Sequence, residues 1–112
     1  MAIKQNCREL AGRYLELEHD LHEHYLAVMG AMTSPHRAKT EIFSQLDSNI
    51  EGIGDYYPDL PVARTVKLDL QSLREEIARM KSPDTPLKAG TAYSKIMNET
   101  VLDAMLEAVT RC

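Results

Sequence analysis

The stretch GDYYPDLP at residues 54–61 separates two segments of helical periodicity and so predicts how the chain folds. Pro58 and Pro61 lack a backbone N–H, and a residue that precedes proline is biased away from the helical conformation. Beyond this stretch the apolar residues recur at helical spacing. They are Val62, Val66, Leu70, Leu73, Ile77 and Met80. We therefore expect a third helix that opens at Leu60 and Pro61 and is capped by Asp59.

Similar breaks divide the rest of the chain. TSP at residues 33–35 and SPDTP at residues 82–86 each contain a serine or threonine directly before proline, which is typical of a helix start. These breaks define a first helix over residues 5–32, a second that ends near residues 52–54, and a fourth from Pro86 to the C-terminus. The second helix carries Ile42, Leu46, Ile50 and Ile53. We predict one all-α domain over residues 1–112, an antiparallel four-helix bundle of up-down-up-down order.

The first and fourth helices are apolar on more than one side, which is typical of helices buried on two sides. In helix 1 the main stripe is widened by Leu15, Leu26 and Met29. That main stripe consists of Leu10, Tyr14, Leu17, Leu21, Val28 and Met32. Helix 4 has one stripe of Ala89, Tyr93, Ile96, Thr100 and Ala104. Its second stripe, roughly opposite, is Leu102, Met105, Leu106 and Val109. We predict that this second stripe is an interface with a second copy of the chain or with a partner helical domain.

Composition restricts the class of partner. The 112 residues carry a net charge of −4, with a pI near 5.5, and no uninterrupted basic patch, so we expect no nucleic-acid partner. No apolar run is long enough to cross a bilayer, so we expect no membrane insertion. The N-terminal residues lack the apolar centre of a secretory signal, so the expected location is cytoplasmic.

The two cysteines, Cys7 and Cys112, stand near opposite ends of the sequence and form no CxxC motif. In a bundle with an even number of antiparallel helices both chain ends lie on the same side, so a disulfide is geometrically possible. Because no secretion signal accompanies the cysteines, we expect two free thiols.

Histidines and acids are concentrated in LELEHDLHEHYL at residues 15–26. Glu18 falls within the apolar arc of helix 1, and His22 follows one turn later, so the two can pair. Tyr25 shares that side, whereas His24 lies on the other edge of the arc. A buried carboxylate requires a partner. The pattern therefore fits either a structural Glu–His pair or a polar ligand pocket.

Metal binding and catalysis are less well supported. His19 and His22 could share a metal, but the only histidine outside helix 1, His36, begins helix 2 at the opposite end of the bundle. The chain has no nucleophile elbow and no glycine-rich phosphate loop. We therefore expect no enzymatic activity, no metal and no cofactor.

Several segments resemble the nitrate- and nitrite-sensing (NIT) domain. Its first helix has a pattern of leucine-glutamine-x-glutamate-arginine-glycine-x-serine-x-x-tyrosine-leucine, and residues 15–26 are similar to it. The matching positions in helix 1 are Leu15, Glu18, Leu21, Tyr25 and Leu26. Further matches are Arg37 and Thr40, Leu73 and Arg74, and Tyr93 and Ile96. The pattern's arginine and glycine are here His19 and Asp20.

The resemblance implies one half of an all-helical input module that binds a small anion between helices and transmits a conformational signal. On this basis we predict a non-enzymatic sensory module whose ligand contacts are Glu18, His22, Tyr25, Arg37 and Arg74. The clustered histidines would make helix packing sensitive to pH. The alternative is a small acidic interaction protein, such as an adaptor, inhibitor or chaperone, that acts as a homodimer. A polar cavity would favour the sensor, and a dry core beside an exposed apolar stripe would favour the adaptor.

Overall fold

The computed structural model describes residues 5–33, 39–79 and 85–112, which are helical almost throughout. The elements are α1 (Gln5–Thr33), α2 (Lys39–Tyr56), α3 (Val62–Arg79), α4 (Thr85–Lys95), a π-helical turn (Ile96–Val101) and α5 (Leu102–Arg111). None of the described residues forms a strand, and the predicted all-α class is confirmed. The predicted capping pair Ser34 and Pro35, and Met80 of the α3 stripe, lie outside the described ranges.

The helices pack side by side into a body of 52 × 23 × 20 Å. The first helix, α1, contacts α2, α4, the π-helical turn and α5. In turn α2 contacts α3, and α3 contacts α4 and the π-helical turn. These contacts are consistent with short connections that bring sequential helices together as neighbours.

The predicted apolar stripes of the first three helices supply most of the core. Their buried members are Tyr14, Leu17, Leu21 and Val28 of α1, Ile42, Leu46, Ile50 and Ile53 of α2, and Val62, Val66, Leu70, Leu73 and Ile77 of α3. Residues three or four apart lie on one face of a helix, so each stripe reaches the interior along its whole length. Full burial of one such side chain contributes about 1.5–3 kcal/mol.

The second helix continues beyond the end that the sequence predicted. It runs through Gly52 and Gly54 to Tyr56, and no glycine among the described residues has a positive φ. Glycine lowers helix stability but does not break the hydrogen-bond ladder, whereas Tyr57 precedes Pro58 and is biased away from the helical conformation. The proline, rather than the glycines, therefore ends α2.

Arg13 of α1 forms hydrogen bonds with the end of α2 and with the loop that follows it. The Nε of Arg13 donates to Asp59 at 3.0 Å, and its Nη2 donates to the other Asp59 oxygen at 2.9 Å and to the Tyr56 carbonyl. The predicted helix start is wrong by two residues, because regular helix begins at Val62 instead of Leu60. Asp59 was predicted to cap this helix, but its carboxylate pairs with Arg13.

The π-helical turn changes which residues of the last helical rod face the core. A π turn holds more residues than an α turn, and the buried residues Ile96 and Val101 are accordingly five positions apart. Val101 is fully buried, whereas Thr100, which a regular α-helix would place in the stripe, is half-buried. The same shift brings Met105 against the core. The prediction of two opposite apolar stripes assumed a regular helix and is corrected on this point.

A disulfide joins Cys7 to Cys112, with the two Cα atoms 5.7 Å apart. The expectation of two free thiols is therefore wrong. Its geometric premise was sound, because both described chain ends lie on the same side of the molecule. No residue of α5 is fully buried. The covalent bond to α1 therefore adds to the packing of Ala104, Met105 and Ala108, which are half-buried against the core.

Candidate functional site

A cleft lined by both polar and apolar side chains lies between α1 and α2. Its volume is about 270 Å³. It is lined by Asp20, Glu23 and His24 of α1, by Ser48, Asn49, Gly52, Ile53 and Tyr56 of α2, and by Tyr57. We call this the α1–α2 cleft. A wider, more open groove of about 630 Å³ lies on the other side of Tyr57.

The helical repeat explains how polar side chains reach the cleft. Asp20 and His24 are one turn apart on α1, at the edge of its apolar face. On α2, Asn49, Gly52 and Tyr56 are spaced three and four residues apart and form the facing edge. Because Gly52 has no side chain, the cleft stays open there. A Cβ at Gly52 would lie 3.7 Å from the Tyr56 ring, which is ordinary contact distance.

One wall of the cleft is held by Tyr57. Its hydroxyl donates a hydrogen bond to Asp20, and the guanidinium of Arg13 lies over its ring, 4.8 Å from the centroid. Burial and the hydrogen bond to Asp20 raise the pKa of Tyr57, so the hydroxyl stays protonated at neutral pH and keeps donating. The Arg13 guanidinium also forms a hydrogen bond with Asp59, and this bond lowers the pKa of the Asp59 carboxyl group.

The floor of the cleft leads to α4 through two buried polar groups. Asn49 is 1% exposed, and its side-chain nitrogen donates to the Tyr93 hydroxyl at 3.4 Å. Burial raises the pKa of Tyr93 to about 12, against a smaller opposing effect of the Asn49 hydrogen bond. The Tyr93 ring packs against Tyr25 with centroids 5.7 Å apart. A polar contact thus connects α2 to α4 across the core.

His24 provides the least satisfied group in the cleft. Its Nδ1 atom is buried and has no hydrogen-bond partner among the described residues. Burial lowers the pKa of His24, and the nearby Asp20 carboxylate opposes that shift only in part. The imidazole is therefore neutral at pH 7. A neutral ring with one unpaired buried nitrogen costs free energy that a suitable partner would recover.

The predicted Glu18–His22 pair is not formed. Glu18 is half-buried, His22 is exposed, and neither forms a hydrogen bond or ion pair with a described residue. His19 instead lies 3.9 Å from Glu23. Tyr25 does reach the interior, where its ring lies 6.1 Å from His22 and against the buried Tyr93.

The predicted arginine contacts lie elsewhere or outside the described residues. Arg74 pairs with Asp47 of α2 at 2.6 Å, and its guanidinium stacks over Phe43 at 4.9 Å. It therefore bridges α2 and α3, whereas Tyr25 faces α4. Arg37 lies outside the described residues. The structure does not gather the predicted ligand contacts into one pocket.

The predicted interface residues are only partly exposed. Leu106 is 61% exposed, while Leu102, Met105 and Val109 are half-buried. Other exposed leucines lie on α1, α3 and α4; they are Leu15, Leu26, Leu68 and Leu87. The second stripe of the last helical rod is thus covered to a considerable extent within the chain itself.

The residues that define the cleft were not predicted as a site. One indication was available, because Asn49 interrupts the apolar stripe of α2 between Leu46 and Ile53. A polar side chain at a core position requires a partner. The role of Tyr57 depends on the fold of the loop, which periodicity does not describe.

Other site classes have no support from the described residues. Residues 5–33, 39–79 and 85–112 include no group of three His, Cys, Asp or Glu side chains placed to hold a metal ion. Within the same ranges, no helix has both the length and the apolar character needed to cross a membrane.

No protein-family model, curated protein or solved structure matches the chain. The resemblance to the NIT domain therefore stays a prediction from the sequence.

Proposed function

We propose that the chain is a non-enzymatic, ligand-responsive helical module, an antiparallel up-down-up-down four-helix bundle that binds a small molecule between α1 and α2. Binding would shift the packing of these helices and so pass a signal onward. The observation that carries the proposal is the unpaired, buried Nδ1 of His24 in a cleft whose lining also includes Asp20, Glu23 and Asn49.

The His24 nitrogen supplies a physical reason for the helices to move. A buried, unpaired polar group costs about 1–3 kcal/mol. A small molecule can pair with this atom only if α1 and α2 shift enough to open access to it. The ligand then prefers the shifted arrangement, and a difference in affinity between two arrangements is what drives a conformational response.

Two sets of contacts would carry the shift away from the cleft. The Asn49–Tyr93 hydrogen bond connects α2 with α4. On the other side, Tyr57 contacts Asp20 and Arg13, and Arg13 pairs with Asp59 in the loop before α3. A movement of α2 relative to α1 would therefore change contacts at two other elements, α4 and the loop before α3.

The resemblance of helix 1 to the NIT domain supports a sensory role but not the same ligand. The position that is arginine in the family pattern is His19, and the next one is Asp20, which lines the cleft. Arginine binds oxyanions through a permanent charge and a planar fork, and an aspartate repels them. The cellular location is also revised in this proposal, because the Cys7–Cys112 disulfide favours an oxidising compartment over the cytoplasm.

Thermal melting with three isosteric additives tests the proposal: n-butylammonium, n-butanol and butyrate. Gly52→Leu would fill the α1–α2 cleft, whereas Gly12→Leu is a matched control, since nothing lies within 4 Å of its Cβ position. We expect one additive to raise the Tm of the wild type and of Gly12→Leu but not of Gly52→Leu. Equal shifts in all three proteins, or no shift with any additive, would contradict a ligand site in this cleft.

The second candidate is an interaction module that forms a homodimer through α5. It is favoured by Leu106, which is 61% exposed on a helix without a fully buried residue. Light scattering after size exclusion should then give twice the chain mass for the wild type and a single chain mass for Leu106→Glu. Leu87→Glu, at an exposed leucine of α4, is the control that should keep the dimer. A monomeric wild type would exclude this candidate.

A further inference from the structure

The charges around the α1–α2 cleft select one class of ligand. Two carboxylates, Asp20 and Glu23, line it, and among the residues that the structure describes there is no lysine or arginine in the lining. The guanidinium of Arg13 lies over the ring of Tyr57 and is paired with Asp59 and Glu16. The cleft thus presents uncompensated negative charge to anything that enters it.

We propose that the cleft binds a small primary ammonium cation. This inference rests on the proposed function and names its ligand class. An alkylammonium headgroup has three N–H donors and no acceptor, which suits a site rich in acceptor atoms.

Three groups on the α1 side of the cleft can accept hydrogen bonds: Asp20, Glu23 and His24. A carboxylate offers two oxygens, and the Tyr57 hydroxyl occupies only one oxygen of Asp20. Glu23 has only a distant neighbour in His19, at 3.9 Å. The Nδ1 of His24 is unpaired, and in the neutral ring it can accept a hydrogen bond. Each of these groups can therefore accept a hydrogen bond from an ammonium ligand.

The neutral state of His24 removes the main obstacle to a cation. A protonated imidazole would repel the ligand, but burial lowers the pKa of His24 and keeps the ring uncharged at pH 7. The tyrosine rings of Tyr56 and Tyr57 add faces that attract cations. The volume of about 270 Å³ admits a short alkyl chain with its headgroup.

The wider groove beside Tyr57 has the opposite character and serves as an internal contrast. Its lining includes Arg64 and Lys67, with no acidic residue among the described ones. Both basic side chains lie on α3, away from the cleft. An anion that binds this chain would therefore favour that groove, and a cation the α1–α2 cleft.

Calorimetric titration with n-butylammonium chloride tests the ligand class. Asp20→Asn and Glu23→Gln each remove one cleft charge, and Asp103→Asn removes an exposed charge from α5 as the matched control. We expect each cleft variant to weaken binding about tenfold and the control to leave Kd unchanged. Tetramethylammonium, which has charge but no N–H donor, should bind more weakly than n-butylammonium. Equal affinity for the two cations would overturn the hydrogen-bonding part of the proposal.

Two failures are distinguishable. If butyrate or n-butanol stabilises the wild type through the cleft while n-butylammonium does not bind, the ligand class is wrong and the ligand-responsive module stands. If Gly52→Leu abolishes the Tm shift of none of the three additives, the proposed function fails together with this inference.

Discussion

The two long edges of α1 differ in how they are attached to their neighbours. The edge that faces α2 carries Asp20 and His24 and borders the α1–α2 cleft, in which the Nδ1 of His24 is unpaired. The opposite edge carries Cys7, bonded covalently to Cys112, and Tyr25, packed on Tyr93. One edge has polar groups that a ligand can still satisfy, and the other is fixed. The difference places the responsive side of the molecule at α2 and the rigid side at α4 and α5.

The largest loss of stability is expected when the disulfide on the fixed edge of α1 is removed. Replacing both Cys7 and Cys112 with serine removes a crosslink between residues 105 positions apart. For a loop of about 100 residues the chain-entropy model gives about 4.7 kcal/mol. We expect the free energy of unfolding, measured by urea denaturation, to fall by roughly 3–5 kcal/mol. A loss below about 1 kcal/mol would mean that packing alone holds α5 in place.

The next effect concerns the polar contact between the two edges. Tyr93→Phe removes the hydroxyl that accepts from the buried Asn49 and leaves that amide nitrogen unpaired. We expect the free energy of unfolding to fall by about 1–3 kcal/mol. Tyr56→Phe is the control, because Tyr56 is 71% exposed and should change stability by no more than about 0.5 kcal/mol. An equal decrease in the free energy of unfolding in both variants would show that the Asn49–Tyr93 hydrogen bond makes no particular contribution to stability.

A smaller effect of opposite sign is expected at the cleft. Gly52→Ala adds a methyl group at ordinary contact distance from Tyr56 and improves helix propensity. The free energy of unfolding should rise by about 0.5–1 kcal/mol, as it should in the control Gly12→Ala. The two variants should differ in ligand binding, since only the first narrows the cleft. A loss of stability in Gly52→Ala but not in Gly12→Ala would show that the cleft has no room for the added methyl group.

The smallest expected effect is a pH dependence of the free energy of unfolding that arises from protonation of His24. Its folded-state pKa lies below the ordinary value of 6.5, so the unfolded chain takes up the proton first as the pH falls. Stability is therefore retained above pH 6.5 and declines from there toward the folded-state pKa. The charged groups that face the ring are Asp20 and Glu23, and the raised pKa of Tyr57 keeps its hydroxyl protonated throughout this range.

Urea denaturation at several pH values between 5 and 8 measures this slope. His24→Asn removes the titrating group and should flatten the curve in that range, whereas the exposed His19→Asn should leave it unchanged. An unchanged slope in His24→Asn would assign the pH dependence to other groups.

The helices could be predicted because local chemistry determines them. Prolines end or begin the segments, and apolar residues at spacings of three and four mark the faces that become buried, such as Leu17 and Leu21. The exceptions also have local causes. Gly52 and Gly54 are tolerated within α2, and a π-helical turn displaces Thr100 from the core.

The cleft could not be predicted because it depends on which helix edges meet. Periodicity placed His24 at the edge of an apolar arc but did not identify the neighbouring helix. The position of Tyr57 depends on Arg13, a contact 44 residues distant in sequence. The predicted ligand residues followed from a family pattern on single helices, and Arg74 proved to pair with Asp47 on the opposite side of α2 from the cleft.

Hydrogen exchange of the oxidised chain, measured residue by residue, tests whether α2 is the responsive side of the molecule and α5 the rigid side. The chain is compared in sodium chloride and in a saturating amount of whichever isostere binds: n-butylammonium, n-butanol or butyrate. We expect amide protection to change in α1 around Asp20 and His24 and in α2 around Asn49, while protection in α5 stays unchanged. A change at α5 as large as that at α2, or no change at α2, would contradict this expectation.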